Sequence, residues 1–222
     1  MVQPKWALPG HVHVCVLEED IVFLDLASGE YSSLVGVSGA IRLVDDGEVI
    51  AIDDETLAAE LAAARLIEPA TRHLPRPRRR ASERLRDLSG DDQLSSTRCS
   101  LGEIAQILLN SVWLFHRRSL AELVQYAQLA DRQARPGPQD AEALAMHVQA
   151  FWRALAFVPF QGECLYRAFL LLLYLRRGGF DAQWVFGVRT WPFHAHCWLQ
   201  SGELVLDDSV DRLVAYQPIL AV

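Results

Sequence analysis

Apolar and polar positions alternate strictly in the first clear element. His11–Leu17 (HVHVCVL) puts Val12, Val14 and Val16 on one face, which predicts a half-buried strand. A second strand is predicted at Ile21–Leu26, and the Ser28-Gly29 turn leads into a third, Glu30–Val35. VSGAIRLVDDG then reads as a short helix, with Ser38 as cap and Gly47 as stop. A stronger helix is predicted over Asp53–Ile67, with acids in its first turn and Leu57, Leu61 and Ala64 as its stripe. Residues 1–69 thus read as a three-stranded antiparallel sheet followed by two or three helices, closed by Pro69.

Periodicity vanishes over residues 70–99, a stretch rich in Pro, Arg and Ser that reads as a linker. Residues 100–222 form the second unit. Ser100 and Glu103 make a capping box before IAQILLNSVWLF. Further helices are predicted at LAELVQYAQLADRQA, ended by Pro136-Gly137-Pro138, and at DAEALAMHVQAFWRALAF. A fourth, opened by Cys164, is a largely apolar run that reaches Arg176-Arg177 and closes at Gly178-Gly179. Strands follow at Ala182–Arg189 and His194–Gln200, then a Ser201-Gly202 turn and Glu203–Asp208. Helices first and an antiparallel meander after them make the fold class α+β.

Composition narrows the function. Hydrophobic residues are 51% of the 222, enough for a packed core. No apolar run approaches the roughly 18 residues of a membrane span. The N-terminus lacks the apolar core of a signal peptide, and the four cysteines (Cys15, Cys99, Cys164, Cys197) form no C-x-x-C pair. Reduced thiols in a cytoplasmic protein are therefore expected, with no membrane partner. The net charge of −7 is uneven: residues 1–69 carry 3 basic and 13 acidic groups, whereas residues 70–99 carry 8 against 4. So acidic a first unit argues against a nucleic-acid partner.

The chemistry gathers around Cys164. A thiol at a helix start lies beside unpaired backbone N–H groups and ionises more readily. His196 is the candidate base, with His194 on the same strand face. The turn after that strand returns a carboxylate towards His196. A two-residue Ser201-Gly202 turn would oppose it to Asp207, and a three-residue turn to Asp208. Cys on a helix, His on one strand and Asp on the next is the order of transglutaminase-like hydrolases. Blander readings stand beside it: a buried Cys164 as core filler and His196 as a core histidine. His194, His196 and Cys197 are all metal-ligand types, but Cys197 points to the other strand face, so no metal site is expected. Cys197 reads as buried filler, and Cys15 falls on the polar face of its strand.

Residues 163–208 resemble the processing peptidase of lasso-peptide biosynthesis, the B protein. The features that carry the resemblance are C-L-x-R before an aliphatic helix, R-R-x-G at its end, the G-V-R strand, P-F-x-A-H-x-W and a final acidic pair. VFLDLASGEYSSL and the residues after it resemble the small winged-helix domain that binds the leaders of ribosomally made peptides. The resemblance implies a winged-helix-like leader-recognition domain followed by a transglutaminase-like, papain-like cysteine peptidase domain with Cys164, His196 and Asp208 as its triad. Asp208 is favoured over Asp207 because it stands twelve residues past His196, in the family's place for the acid. Two positions depart from the family: Cys197 stands where Ala is usual, and Asp207 where Asn is usual. Leader contacts are expected from Glu30, Tyr31, Ser32, Ser33 and Leu34 as an added-strand edge, with Leu61 and Arg65 beside it. The implied partners are a precursor's leader peptide and an asparagine-synthetase-like cyclase. ATP is associated with such maturation complexes, but the chain has no P-loop, so no nucleotide site and no cofactor are assigned. Other classes remain open: a catalytically idle leader-binding adaptor, or a winged-helix regulator.

Overall fold

The computed structural model describes residues 6–37, 39–44, 49–70, 79–88, 117–133, 140–155 and 164–222. The first expected strands form as read: β2 (Val12–Leu17), β3 (Asp20–Asp25) and β4 (Glu30–Leu34) make an antiparallel sheet in the order β2-β3-β4. A second sheet, β5-β6-β1-β7, is built from β1 (Trp6–Ala7), β5 (Ile41–Val44), β6 (Val49–Ile52) and β7 (Glu68–Pro69). The stretch expected as a helix at VSGAIRLVDDG therefore contains a strand instead. Ile41 and Leu43 alternate with the exposed Arg42 and Val44, a period of two, and Ile41 pairs with Ile52. One helix of this unit lies among the described residues, α1 (Glu55–Ala63), where two or three were expected.

Local chemistry sets the limits of α1. The Asp54 side chain accepts from the backbone N–H of Thr56 and Leu57, and after Ala64 the chain turns through Arg65 at φ 60°. Ala58 and Leu61 face inward, while Ala64, expected on the stripe, is exposed. Leu61 packs with Val12, Val14, Ile21, Phe23 and Ile50 in a small core between the two sheets.

The C-terminal half places three helices against one face of a five-stranded sheet. The helices are α2 (Leu120–Gln133), α3 (Ala141–Leu155) and α4 (Cys164–Arg177). The sheet runs β12-β9-β10-β11-β8 through β9 (Gln183–Arg189), β10 (His194–Ser201), β11 (Leu204–Val205) and β12 (Gln217–Ala221). A short helix, α5 (Val210–Leu213), joins β11 to β12. Its edge strand β8 (Arg86–Asp87) comes from the stretch expected to be a linker and runs parallel to β11. Residues 79–88 are held further by an Arg79–Asp181 ion pair at 2.7 Å and by packing of Ala81 and Leu85. A two-residue strand leaves no periodic signal to read. The capping box at Ser100 and the helix expected after it lie outside the described residues, as does Cys99.

α4 is buried nearly all round, and even Arg176 is 5% exposed. Its guanidinium donates to the carbonyls of Ala127, Ala182 and Val222, tying α2 and the chain's last residue to the central helix.

The two halves share a core. Residues on a strand alternate faces, so β3 sends Ile21 and Phe23 into the small core and Val22 and Leu24 the other way. Cys15, Val22, Leu24 and Leu26 join the main core with α2–α4, β9 and β10. The polar side of β2, with Cys15 on it, is thus an internal face, which corrects the reading of Cys15 as lying on an outward polar face. Burial pushes its thiol up to about 12. The hairpin tip between β9 and β10 adds a polar tie: the indole N–H of Trp191 donates to Asp20 Oδ2 at 2.9 Å, and Gly36 N–H donates to Asp20 Oδ1 at 3.0 Å.

Candidate active site

Cys164 is the first residue of α4, and this helix packs on β10. Gly162 and Glu163, expected to open the helix, lie outside the described residues. β11 pairs only with Gln200 and Ser201 of β10, so it does not occupy the strand's backbone at Cys197. The thiol of Cys164 is half-buried there, and hydrogen bonding with the Cys197 side chain, with His196 and with the Cys197 backbone favours its ionised form. These outweigh the cost of burial and lower its pKa to about 3. The contribution foreseen from sequence was the helix start. The largest one comes from Cys197, which is 4% exposed and whose own thiol is pushed well above its usual range by that hydrogen bond and by burial.

His196 is 5% exposed. Its Nε2 lies 2.5 Å from Asp208 Oδ2, which leaves Nδ1 for the thiol side. Burial disfavours the imidazolium, but hydrogen bonds to Cys164 and Asp208 prevail and raise its pKa. The carboxylate is itself fixed, because Oδ1 accepts from Ser209 N–H at 2.8 Å and Arg212 stands 3.6 Å from Oδ2. Tyr216 and Trp198 flank the imidazole, with ring centroids 5.4 and 6.4 Å away. Opposite His196 on β9 is Gly187, where a Cβ would come within 2.6 Å of the Trp198 ring.

The hairpin register differs from both versions expected. Ser201 pairs with Leu204 and Gln200 with Val205, so Gly202 and Glu203 form the turn, with Gly202 at φ 57°. Leu206 N–H still donates to Leu199 O at 2.9 Å. There the regular ladder ends. Asp207 turns in to accept from Leu199 N–H at 2.7 Å, and burial raises its pKa to about 7. Asp208 is thereby freed to reach His196. His194 takes no part in this cluster, and its Nδ1 pairs with the Tyr216 hydroxyl at 3.0 Å. No cluster of three or more metal-ligand side chains occurs among the described residues.

The residues expected to contact a leader are placed differently. Glu30–Leu34 form β4, an edge of its sheet. Arg65 is exposed after α1. Leu61 is 4% exposed, so it packs rather than touches a ligand. One residue was missed as a part of the thiol site. Cys197 carried a signal, its departure from the usual Ala.

A largely antiparallel sheet backed by helices, with the Cys164 thiol at a helix start near His196 of β10 and the carboxylate of Asp208 beyond β11, is consistent with a cysteine-peptidase type of fold. The profile of the transglutaminase-like superfamily matches residues 105–221, more than half of the chain. The protein belongs to the transglutaminase-like superfamily, a group that typically includes enzymes of the cysteine-protease kind. No curated protein and no solved structure matches it. No helix among the described residues is long and apolar enough to cross a membrane.

Proposed function

We propose that the chain is the leader peptidase of lasso-peptide maturation, a cysteine peptidase that binds a precursor's leader and cuts it from the core. The observation that carries the reading is the 2.5 Å His196–Asp208 contact beside a thiol whose pKa is lowered to about 3. Cys164 thiolate attacks the scissile carbonyl, and His196, charged as imidazolium, gives its proton to the leaving amine. The leader stays as a thioester on Cys164 while the core departs with a free amine. His196, now neutral, takes a proton from water, which releases the leader acid and regenerates the thiolate. Asp208 orients the imidazole and stabilises its charge.

In this reading residues 1–69 are the leader-recognition unit, 70–99 the connection and 100–222 the peptidase. The open edge of β4, Glu30–Leu34, receives the leader as an added strand. Arg65 is a further contact, and Leu61 supports the groove from within. The freed core amine suits an asparagine-synthetase-like cyclase that closes a macrolactam, which makes such an enzyme the natural partner. Mass spectrometry of a candidate precursor incubated with the protein tests the reading. Separate leader and core masses are expected, and they should vanish with Cys164→Ala. An intact precursor with wild-type protein would overturn it.

A further inference from the structure

The sheet face that carries His196 holds a second group of polar side chains. On β9 and β10, Arg189 is the cross-strand partner of His194, which stands two residues before His196 on the same face. That spacing puts His194 about 7 Å along the strand from His196. The Tyr216 ring links the three. Its hydroxyl pairs with His194 Nδ1 at 3.0 Å, and the Arg189 guanidinium lies over it with Cζ 5.5 Å from the ring centroid. The imidazole of His196 is 5.4 Å from the same ring, centroid to centroid.

This group lacks an anion. Arg189 is half-buried, its Nε is buried without a hydrogen-bond partner, and no carboxylate among the described residues forms an ion pair with it. His194 is exposed, and with Nδ1 engaged by the hydroxyl its Nε2 is left over. A guanidinium offers donors only, and its planar fork matches a carboxylate. Partial burial of an unpaired cation costs desolvation that a bound carboxylate would offset. The chain's net charge is −7, so the missing counter-ion does not reflect a shortage of acids.

We propose that Arg189 and His194 form a carboxylate subsite on the sheet face beside the imidazole of His196, which takes an acidic side chain of the core peptide. This rests on the peptidase reading and adds what that reading leaves open, a demand on the core rather than on the leader. His196 gives its proton to the leaving amine, so the core, and not the leader, runs past the imidazole. Arg189 and His194 lie along that same face. About 7 Å is two residues of an extended peptide, so the subsite reads a position inside the core and not the residues that flank the bond. Tyr216 packs on both imidazoles and keeps the subsite at a fixed distance from the proton donor.

The test uses the full chain, with Cys164 as the reporter. N-iodoacetyl derivatives of glycine, β-alanine and γ-aminobutyrate carry a carboxylate at increasing reach from the alkylating carbon, and their primary amides are the neutral counterparts. Labelling of Cys164 is timed by mass spectrometry, with iodoacetamide as the parent reagent. At one chain length the acid should label wild-type protein on the order of tenfold faster than its amide, the scale of a charge-assisted hydrogen bond. The net charge of −7 would by itself favour the amide. Arg189→Gln should abolish the preference while iodoacetamide reacts at the wild-type rate. Arg189→Lys, which keeps the charge but not the fork, should retain part of it. Normal iodoacetamide labelling with no acid preference at any length, or a preference that survives Arg189→Gln, removes the subsite and leaves the peptidase reading standing. If Cys164 takes none of the reagents, the peptidase reading falls and the subsite with it.

Discussion

Asp207 and Asp208 are neighbours in sequence with opposite tasks: Asp207 Oδ1 accepts from Leu199 N–H at 2.7 Å, and Asp208 Oδ2 meets His196 Nε2 at 2.5 Å. One holds a strand end and the other holds the imidazole. Asp208→Asn should lower cleavage by about 10⁴-fold, the scale seen when a triad loses its acid. Asp207→Asn keeps an acceptor for Leu199 and should stay within about tenfold. Comparing kcat/KM for the two variants checks the division, and a larger loss for Asp207→Asn would reverse it.

Asp207 also gives stability a pH dependence. Its pKa is raised from 3.8 to about 7 in the fold. Below pH 4 the carboxyl is neutral in both folded and unfolded chains. Between pH 4 and 7 the unfolded chain ionises first, so stability falls as pH rises, and above 7 the full cost of the buried charge is present. Asp207→Asn removes this slope. Its melting temperature should match wild type near pH 4 and exceed it increasingly up to pH 8. A difference that does not vary with pH would contradict the argument.

Cys197 should tune the nucleophile. Its side chain is the largest influence holding the Cys164 thiol near pKa 3. A hydrogen bond to a charged group contributes about 1.5–3 kcal/mol, or roughly 1–2 pKa units. In Cys197→Ala the acid limb of Cys164 alkylation should move to higher pH by about that amount. The backbone bond and His196 keep the thiolate dominant at neutral pH. A profile superimposed on that of wild type would remove Cys197 from this role.

Gly187 leaves room for Trp198 behind the imidazole. In Gly187→Ala the new Cβ would lie 2.6–2.7 Å from the Trp198 ring, which is 1% exposed and cannot swing away. Overpacking of this kind costs about 1–3 kcal/mol. Thermal melting should show the loss, and adding Trp198→Leu should recover part of it. Absence of recovery would point to the backbone rather than to the ring.

Strong patterns were legible in the sequence and short or non-local ones were not. The Val12–Val16 alternation, the Ile21–Leu26 run and the apolar run after Cys164 gave β2, β3 and α4 close to their observed limits, although Val16, expected on the inner face, is 40% exposed. The pairing of His196 with Asp208 was reached through the resemblance, because both proposed hairpin registers were wrong: the turn is Gly202-Glu203. β5 was misread as a helix because a four-residue strand carries too few periods to outweigh a capping Ser and a stopping Gly. β8 and β12 were missed for a different reason. Each exists through a partner distant in sequence, β11 for one and β9 for the other. Cys197 looked like filler since alternation places it on the strand face away from His196, yet both act on the Cys164 thiol.

β3 is lined on both sides by cores that belong to different halves of the chain. The N-terminal unit is therefore not a cassette to be lifted out and plugged into another chain. Cut free, it would show water a patch of Cys15, Val22, Leu24 and Leu26, and the severed piece would seek a replacement lid, either a second copy or a related peptidase. Any exchange of N-terminal units between such proteins has to carry this hidden face along with the β4 edge.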